Sequence, residues 1–182
     1  MEKELLDFCR VKKIFDKGFG FLSSINYSQD VFFHFSKIKD EKVREELEKL
    51  RRGTVYIYYT SRKDKHKRKV SRMWLNIEKV PNYLIPDFIL KIIDEFNNGK
   101  TNVFELAYIL KEIKSNGHIN RKDFELVLKS KKIQSNPSVI KQILNDEELK
   151  KIGDIDKYSN SIRDNKTDSE TWSSEILDKI YN

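Results

Sequence analysis

The stretch Lys17-Gly18-Phe19-Gly20-Phe21-Leu22, with Asp30-Val31-Phe32-Phe33-His34-Phe35-Ser36-Lys37-Ile38 close behind it, decides how the first half of this chain reads. Successive side chains on a β-strand point to opposite faces. As strands, the two segments therefore put Phe19 and Phe21 on one face, and Phe32 and His34 likewise. If the strands are neighbours, four flat rings gather on one surface. Gly18 and Gly20 leave the other side of their strand free for close backbone packing, while Val31 and Phe33 point into a core. Exposed rings cost free energy unless something covers them, and an unpaired base stacked on such a ring is worth roughly 1–3 kcal/mol. The competing readings are ordinary core packing for Phe19, Phe21 and Phe32 and a structural histidine for His34. No metal role is expected for His34, since no His/Cys ligand motif surrounds it in sequence.

Outward from these segments, the first 80 residues read as short strands. Candidates are Arg10–Phe15, Gly18–Ser23, Asp30–Phe35, Thr54–Thr60 and Lys69–Ile77, the fourth rich in β-formers through Val55, Tyr56, Ile57, Tyr58 and Tyr59. Five short strands in so short a span fit a small barrel or sandwich better than a βαβ unit. Val43, Leu47 and Leu50 recur at helical spacing between strands three and four, so a short helix is expected over Asp40–Arg52, stopped by Gly53.

Charge divides along the same line. The chain of 182 residues has 36 Lys and Arg against 29 Asp and Glu, a formal net charge of +7. Residues 1–80 hold 20 against 12, or +8, and residues 81–182 hold 16 against 17, or −1. A basic N-terminal segment beside a neutral one points to a polyanion-binding domain rather than a generally basic protein. The densest run, Arg62-Lys63-Asp64-Lys65-His66-Lys67-Arg68-Lys69, lies between two strand-like stretches and reads as a loop. A solvated loop is the bland account of such a run. Beside a face of rings, a positive groove is the physical recipe for holding single-stranded nucleic acid.

After Val80-Pro81 the period becomes helical. One stripe runs through Leu84, Phe88, Ile89, Ile92, Ile93 and Phe96 to Asn97-Asn98-Gly99. A second carries Val103, Phe104, Leu106, Ala107, Leu110 and Ile113 and stops at Asn116-Gly117. A third starts at Asn120, with Asp123 placed to complete a cap, and carries Phe124, Val127 and Leu128. A fourth has Pro137 in its first turn and carries Val139, Ile140, Ile143 and Leu144. The polar stretch Asp154–Glu170 reads as a linker before a last helix around Trp172, Ile176, Leu177 and Ile180. The expected organisation is a β-domain over 1–80, a helical bundle over 81–152, and a linker with a C-terminal helix over 153–182.

These motifs carry a family resemblance. Lys17–Leu22 is similar to the first ribonucleoprotein motif of cold-shock domains and Asp30–Ile38 to the second, in the right order and at the right separation. Val11-Lys12 resembles the start of that family's first strand, and Leu50-Arg51-Arg52-Gly53 the Leu-x-x-Gly before its fourth. The resemblance covers about residues 8–79. It implies a five-stranded OB-fold β-barrel, followed here by a small all-α domain, that binds single-stranded RNA or DNA with modest sequence preference. Carried onto matching positions, the stacking residues are Phe19, Phe21, Phe32, His34 and Phe35. Phe35 enters on the resemblance alone, since strand alternation puts it on the core side. Lys12, Lys13, Lys17, Lys37, Arg62, Lys65, Lys67 and Arg68 are the candidates for phosphate and polar contacts. Two departures stand out. Lys13 occupies most nearly the place of the family's strand-one Trp, and the turn to Lys17 is about one residue shorter. The connection from Ile38 to Gly53 is longer and lacks a Gly-Phe that often supplies another ring. With one platform replaced by charge, binding should lean more on phosphate contact and be more salt-sensitive.

The rest of the chain offers little competing chemistry. Glu112–Phe124 is faintly similar to a calcium loop through Gly117 and Ile119, but Lys114 stands where a carboxylate belongs and Asp123 replaces the closing Glu, so no calcium site is expected. No nucleophile elbow, Walker loop, zinc motif or cofactor motif is present, and nothing argues for an enzyme. No run approaches the roughly 20 apolar residues of a membrane span, the first residues lack the basic head of a signal peptide, and Cys9 is the lone cysteine. A soluble cytoplasmic protein is expected, with single-stranded nucleic acid as partner and a role as RNA chaperone or transcriptional or post-transcriptional regulator. The alternative is an adaptor whose helical domain binds a protein partner while the OB fold serves as scaffold.

Overall fold

The computed structural model describes residues 2–49 and 56–182. Five strands, β1 (Leu6–Phe15), β2 (Phe19–Leu22), β3 (Val31–His34), β4 (Tyr56–Asp64) and β5 (Lys67–Trp74), form a closed barrel in the order β1-β2-β3-β5-β4. The β3–β5 pairing is parallel and the others are antiparallel. This is the expected OB-type barrel, followed by helices. Closure removes the sheet edges that an open five-stranded sheet would expose.

The barrel core follows the period-2 pattern. Leu22, Val31, Phe33, Ile57, Tyr59 and Met73 point inward, and helix α1 (Glu41–Lys49) adds Val43 and Leu47 from one of its faces. Gly20 lies inside β2 because nothing larger fits. A Cβ there would stand 2.4 Å from the Lys13 carbonyl oxygen and 2.6 Å from the Phe33 ring. The helix stop expected at Gly53, the motif Leu50–Gly53 and the first residues of the expected fourth strand lie outside the described residues.

Two features escape simple alternation. A β-bulge at Lys12 shifts the β1–β2 register, so Val11 faces Leu22 but Lys13 faces Phe21 and Phe15 faces Phe19. At the other end of β1, the fully buried Asp7 accepts hydrogen bonds from Ser24 Oγ (2.8 Å) and the Ile25 N–H (2.7 Å). Ser24 Oγ in turn accepts the N–H groups of Asn26 and Tyr27. One carboxylate thus organises the β2–β3 loop, and burial still pushes its pKa upward.

The basic run does not lie on a loop. Arg62, Lys63 and Asp64 belong to β4 and Lys67 to Arg72 belong to β5, leaving a two-residue turn, Lys65-His66. Asp64 pairs with Lys67 across that turn, so the charges decorate a hairpin.

The chain divides into two compact units, one up to Lys91 and one from Ile92. The boundary falls within α2 (Ile85–Asn97). In the first unit Phe88 meets Tyr58 edge-on at 6.0 Å, and Glu4 accepts hydrogen bonds from Thr60, Arg72 and Tyr83. The second unit holds α3 (Val103–Ser115), α4 (Arg121–Lys129), α5 (Lys131–Gln134), α6 (Pro137–Ile143), α7 (Asp146–Ile152), α8 (Ile155–Arg163) and α9 (Ser169–Tyr181). The cap expected at Asn120 is a full capping box with Asp123, and Pro137 opens α6.

Two expectations fail in this unit. Phe104, placed in the apolar stripe of α3, is 75% exposed, and Ile109 is buried instead. The stretch expected as a linker contains α8. Its face of Ile155, Tyr158, Ser159 and Ile162 has helical spacing, but two of the four are polar, which dilutes the signal. Asp154 caps it by accepting the Asp156 and Lys157 N–H groups.

Candidate nucleic-acid interface

The ladder registers build an outer face from two rows. In the first, Lys13 on β1 faces Phe21 on β2, Phe21 faces Phe32 on β3, Phe32 faces Lys69 on β5, and Lys69 faces Arg62 on β4. The row crosses all five strands, with two rings in the middle and cations at both ends. In the second, Phe15 faces Phe19 and Phe19 faces His34. Facing partners share a side of the sheet, so the strand positions beside the core-facing Gly20, Leu22, Val31 and Phe33 form one surface. Burial agrees: in β2 and β3, Phe19, Phe21, Phe32 and His34 are half-buried while the residues between them are buried.

The rings touch one another. Phe15 and Phe19 stack at 4.6 Å between centroids with 17° between planes. Phe19 and Phe32 lie 5.8 Å apart, as do Phe21 and Phe32. Phe19 and Phe21 meet edge-on at 6.4 Å. Such contacts hold the rings in place without burying their outer surfaces. His34 belongs to this face and also caps the following turn. Its Nδ1 accepts the Ser36 N–H at 3.1 Å and lies 2.7 Å from Ser36 Oγ. With Nδ1 engaged, Nε2 is the ring atom left for another partner.

Phe35 is not part of the ring cluster. It begins a 3₁₀ turn over Phe35–Lys37, its ring lies 5.8 Å from Phe33, and it packs partly buried against the barrel core. Its N–H donates to the Gly18 carbonyl at 2.8 Å, and Gly18 itself has a φ of 76°, a conformation glycine adopts at no steric cost.

The cations sort by strand side. Lys17 in the β1–β2 turn, Lys37, and Arg62, Lys65 and Lys67 on the hairpin lie at the surface. Lys13 Nζ lies 4.5 Å from the centroid of Phe15. Lys12, at the bulge, is paired with Asp30 at 2.8 Å. Arg68 is elsewhere. It pairs with the inward-pointing Val31 across the β3–β5 ladder, so alternation turns it away from the outer face. Its side chain is 4% exposed and bridges Glu2 at 2.8 Å. Its Nε donates to Ser61 Oγ, and the guanidinium lies 3.4 Å over the Tyr27 ring. The hydrogen bond from Arg68 holds the Glu2 carboxyl below its ordinary range.

One residue of this face escapes the sequence pattern. Phe15 reaches it only because of the bulge, which no alternation pattern reveals. Lys69, the last residue of the basic run, joins the face from β5 opposite Phe32. Its ammonium is paired with Asp64, and hydrogen bonding to Lys69 lowers the pKa of that carboxyl. Among the described residues, no group of three or more His, Cys, Asp or Glu side chains is placed to hold a metal ion.

No curated protein matches the chain. Residues 9–70, about a third of its length, match the family model described as the 'Cold-shock' DNA-binding domain, and this barrel with its ring-bearing face is a cold-shock domain, a nucleic-acid-binding module of OB fold.

Proposed function

We propose that this protein binds single-stranded RNA or DNA through the outer face of its barrel and acts as an RNA chaperone or as a transcriptional or post-transcriptional regulator. The observation that carries this reading is the continuous row Lys13–Phe21–Phe32–Lys69–Arg62, rings flanked by cations across all five strands. Unpaired bases stack on Phe19, Phe21 and Phe32, with His34 at the border. Lys13, Lys17, Lys37, Arg62, Lys65 and Lys67 follow the phosphates. A duplex keeps its bases stacked on each other and presents no free faces to such rings, so capture of single strands holds weak secondary structure open. Stacking is tolerant of base identity, which gives modest sequence preference.

The test is fluorescence titration of the full chain with a short pyrimidine-rich DNA or RNA and with the matching duplex. The single strand should bind more tightly. Phe19→Ala combined with Phe32→Ala should weaken it by about 2–5 kcal/mol, given roughly 1–3 kcal/mol per stacked base and imperfect additivity. A double variant that binds like the parent would falsify stacking on this face.

A further inference from the structure

Phe15 is the ring on this face that owes its place to two local devices. If β1 and β2 paired without interruption from Val11↔Leu22, Lys13 would face Gly20 and, with Phe15, would point into the barrel. The extra residue at Lys12 reverses the side of everything after it. The three-residue turn Asp16-Lys17-Gly18 then closes with Gly18 at positive φ and its N–H on the Phe15 carbonyl at 3.0 Å, which sets Phe15 directly opposite Phe19. The outcome is a half-buried ring stacked against Phe19 at 4.6 Å, with the Lys13 ammonium drawn over it at 4.5 Å.

We propose that Phe15 is an additional base-stacking residue at the hairpin end of the face, and that the Lys13 ammonium leaves its ring for the phosphate of the nucleotide that stacks there. The proposal rests on the single-strand reading above. An exposed cation–ring contact is weaker than a base stacked on the same ring, so the exchange is favourable. The displaced ammonium needs no new anchor, because each added nucleotide brings a phosphate. The bulge at Lys12 and the lysine in strand one thus act together: the ring is set beside Phe19 at the hairpin end, and the lysine serves as its movable cover.

The experiment uses the full chain and short oligothymidines, one series intact and one with a single abasic site moved along the strand, read by fluorescence anisotropy. Phe15→Leu keeps the apolar volume but removes the flat ring. It should weaken binding of the intact strand about 5- to 150-fold. Removing the base at one end position should cost the parent a comparable factor and cost Phe15→Leu almost nothing. Phe15→Trp, the larger platform, should bind at least as tightly as the parent. The proposal is overturned if Phe15→Leu binds like the parent, if every abasic position costs both proteins equally, or if folded Phe15→Trp loses affinity. Phe19→Ala separates the two levels of argument. If it weakens binding while Phe15→Leu does not, only the role of Phe15 falls; if neither variant changes binding, the stacking reading falls with it.

Discussion

The ring of Phe33 lies against Gly20 so closely that a Cβ on Gly20 would stand 2.6 Å from its Cζ, and 2.4 Å from the carbonyl oxygen of Lys13. Gly20 therefore couples the two layers of the domain. On one side its missing side chain lets Phe33 fill the barrel, and on the other its flanking residues, Phe19 and Phe21, form the outer face. A backbone carbonyl on the adjacent strand has no rotamer by which to move away.

Gly20→Ala should accordingly destabilise the barrel by about 2–4 kcal/mol, at or above the upper end for overpacking a core. Urea unfolding followed by barrel fluorescence measures it. An unchanged midpoint would mean that β1 and β2 separate without cost, against the register described above.

Asp7 gives a pH signature. Burial raises its pKa in the folded state above the unfolded carboxylate value, so the charged form is the disfavoured one. Stability from this group is therefore complete below about pH 4, the unfolded value, and is lost as pH rises through the folded pKa. Asp7→Asn removes the titration but keeps an oxygen for the Ile25 N–H. The stability difference between variant and parent should move in the variant's favour as pH rises from about 4 and level off above the folded pKa. Paired thermal melts across that range decide it; a flat difference would show that Asp7 does not titrate against its surroundings.

The hairpin cations should act through salt. Lys65→Glu with Lys67→Glu should weaken single-strand binding most at low ionic strength. The plot of log K against log salt should flatten by a slope of about 0.7 for each phosphate no longer neutralised. An unchanged slope in a folded variant would place the nucleic-acid backbone away from the hairpin.

Arg68 should behave in the opposite way to its neighbours. It is 3% exposed and holds Glu2, Ser61 and Tyr27 together. Arg68→Ala should lower stability by about 2–3 kcal/mol, because both its packing and its charged hydrogen bonds disappear, and leave the salt slope of binding as in the parent. Lys67→Ala should do the reverse. Measuring stability and salt slope on both variants separates an inward arginine from a phosphate contact.

In the helical unit, Glu148 has two tasks. It completes the capping box of α7 with Asn145 and receives Lys114 of α3 at 2.5 and 2.6 Å, both side chains being 14% exposed. Glu148→Ala should cost about 2–3 kcal/mol, more than a surface ion pair or a single cap alone. Glu148→Gln, which keeps the cap geometry and removes the charge, should cost less. Equal losses in the two variants, followed by helical circular dichroism, would mean that the cap contributes nothing.

The features legible in the order of the amino acids are those that depend on local period and composition. Alternation in Gly18–Leu22 and Val31–His34 separates an outer set, Phe19, Phe21, Phe32 and His34, from an inner one, and the basic excess of the first 80 residues marks the domain that holds them. Asn120 with Asp123 and Pro137 announce helix starts because capping is a matter of neighbouring residues. Features that depend on pairing between distant strands emerge only in the folded barrel. The bulge at Lys12 turns Lys13 and Phe15 outward, and the parallel β3–β5 register turns Arg68 inward while leaving Lys67 and Lys69 on the ring side. The reason is common to both. A strand's period fixes which residues share a face, but which face meets the core is set by the partner strand, and one inserted residue reverses it.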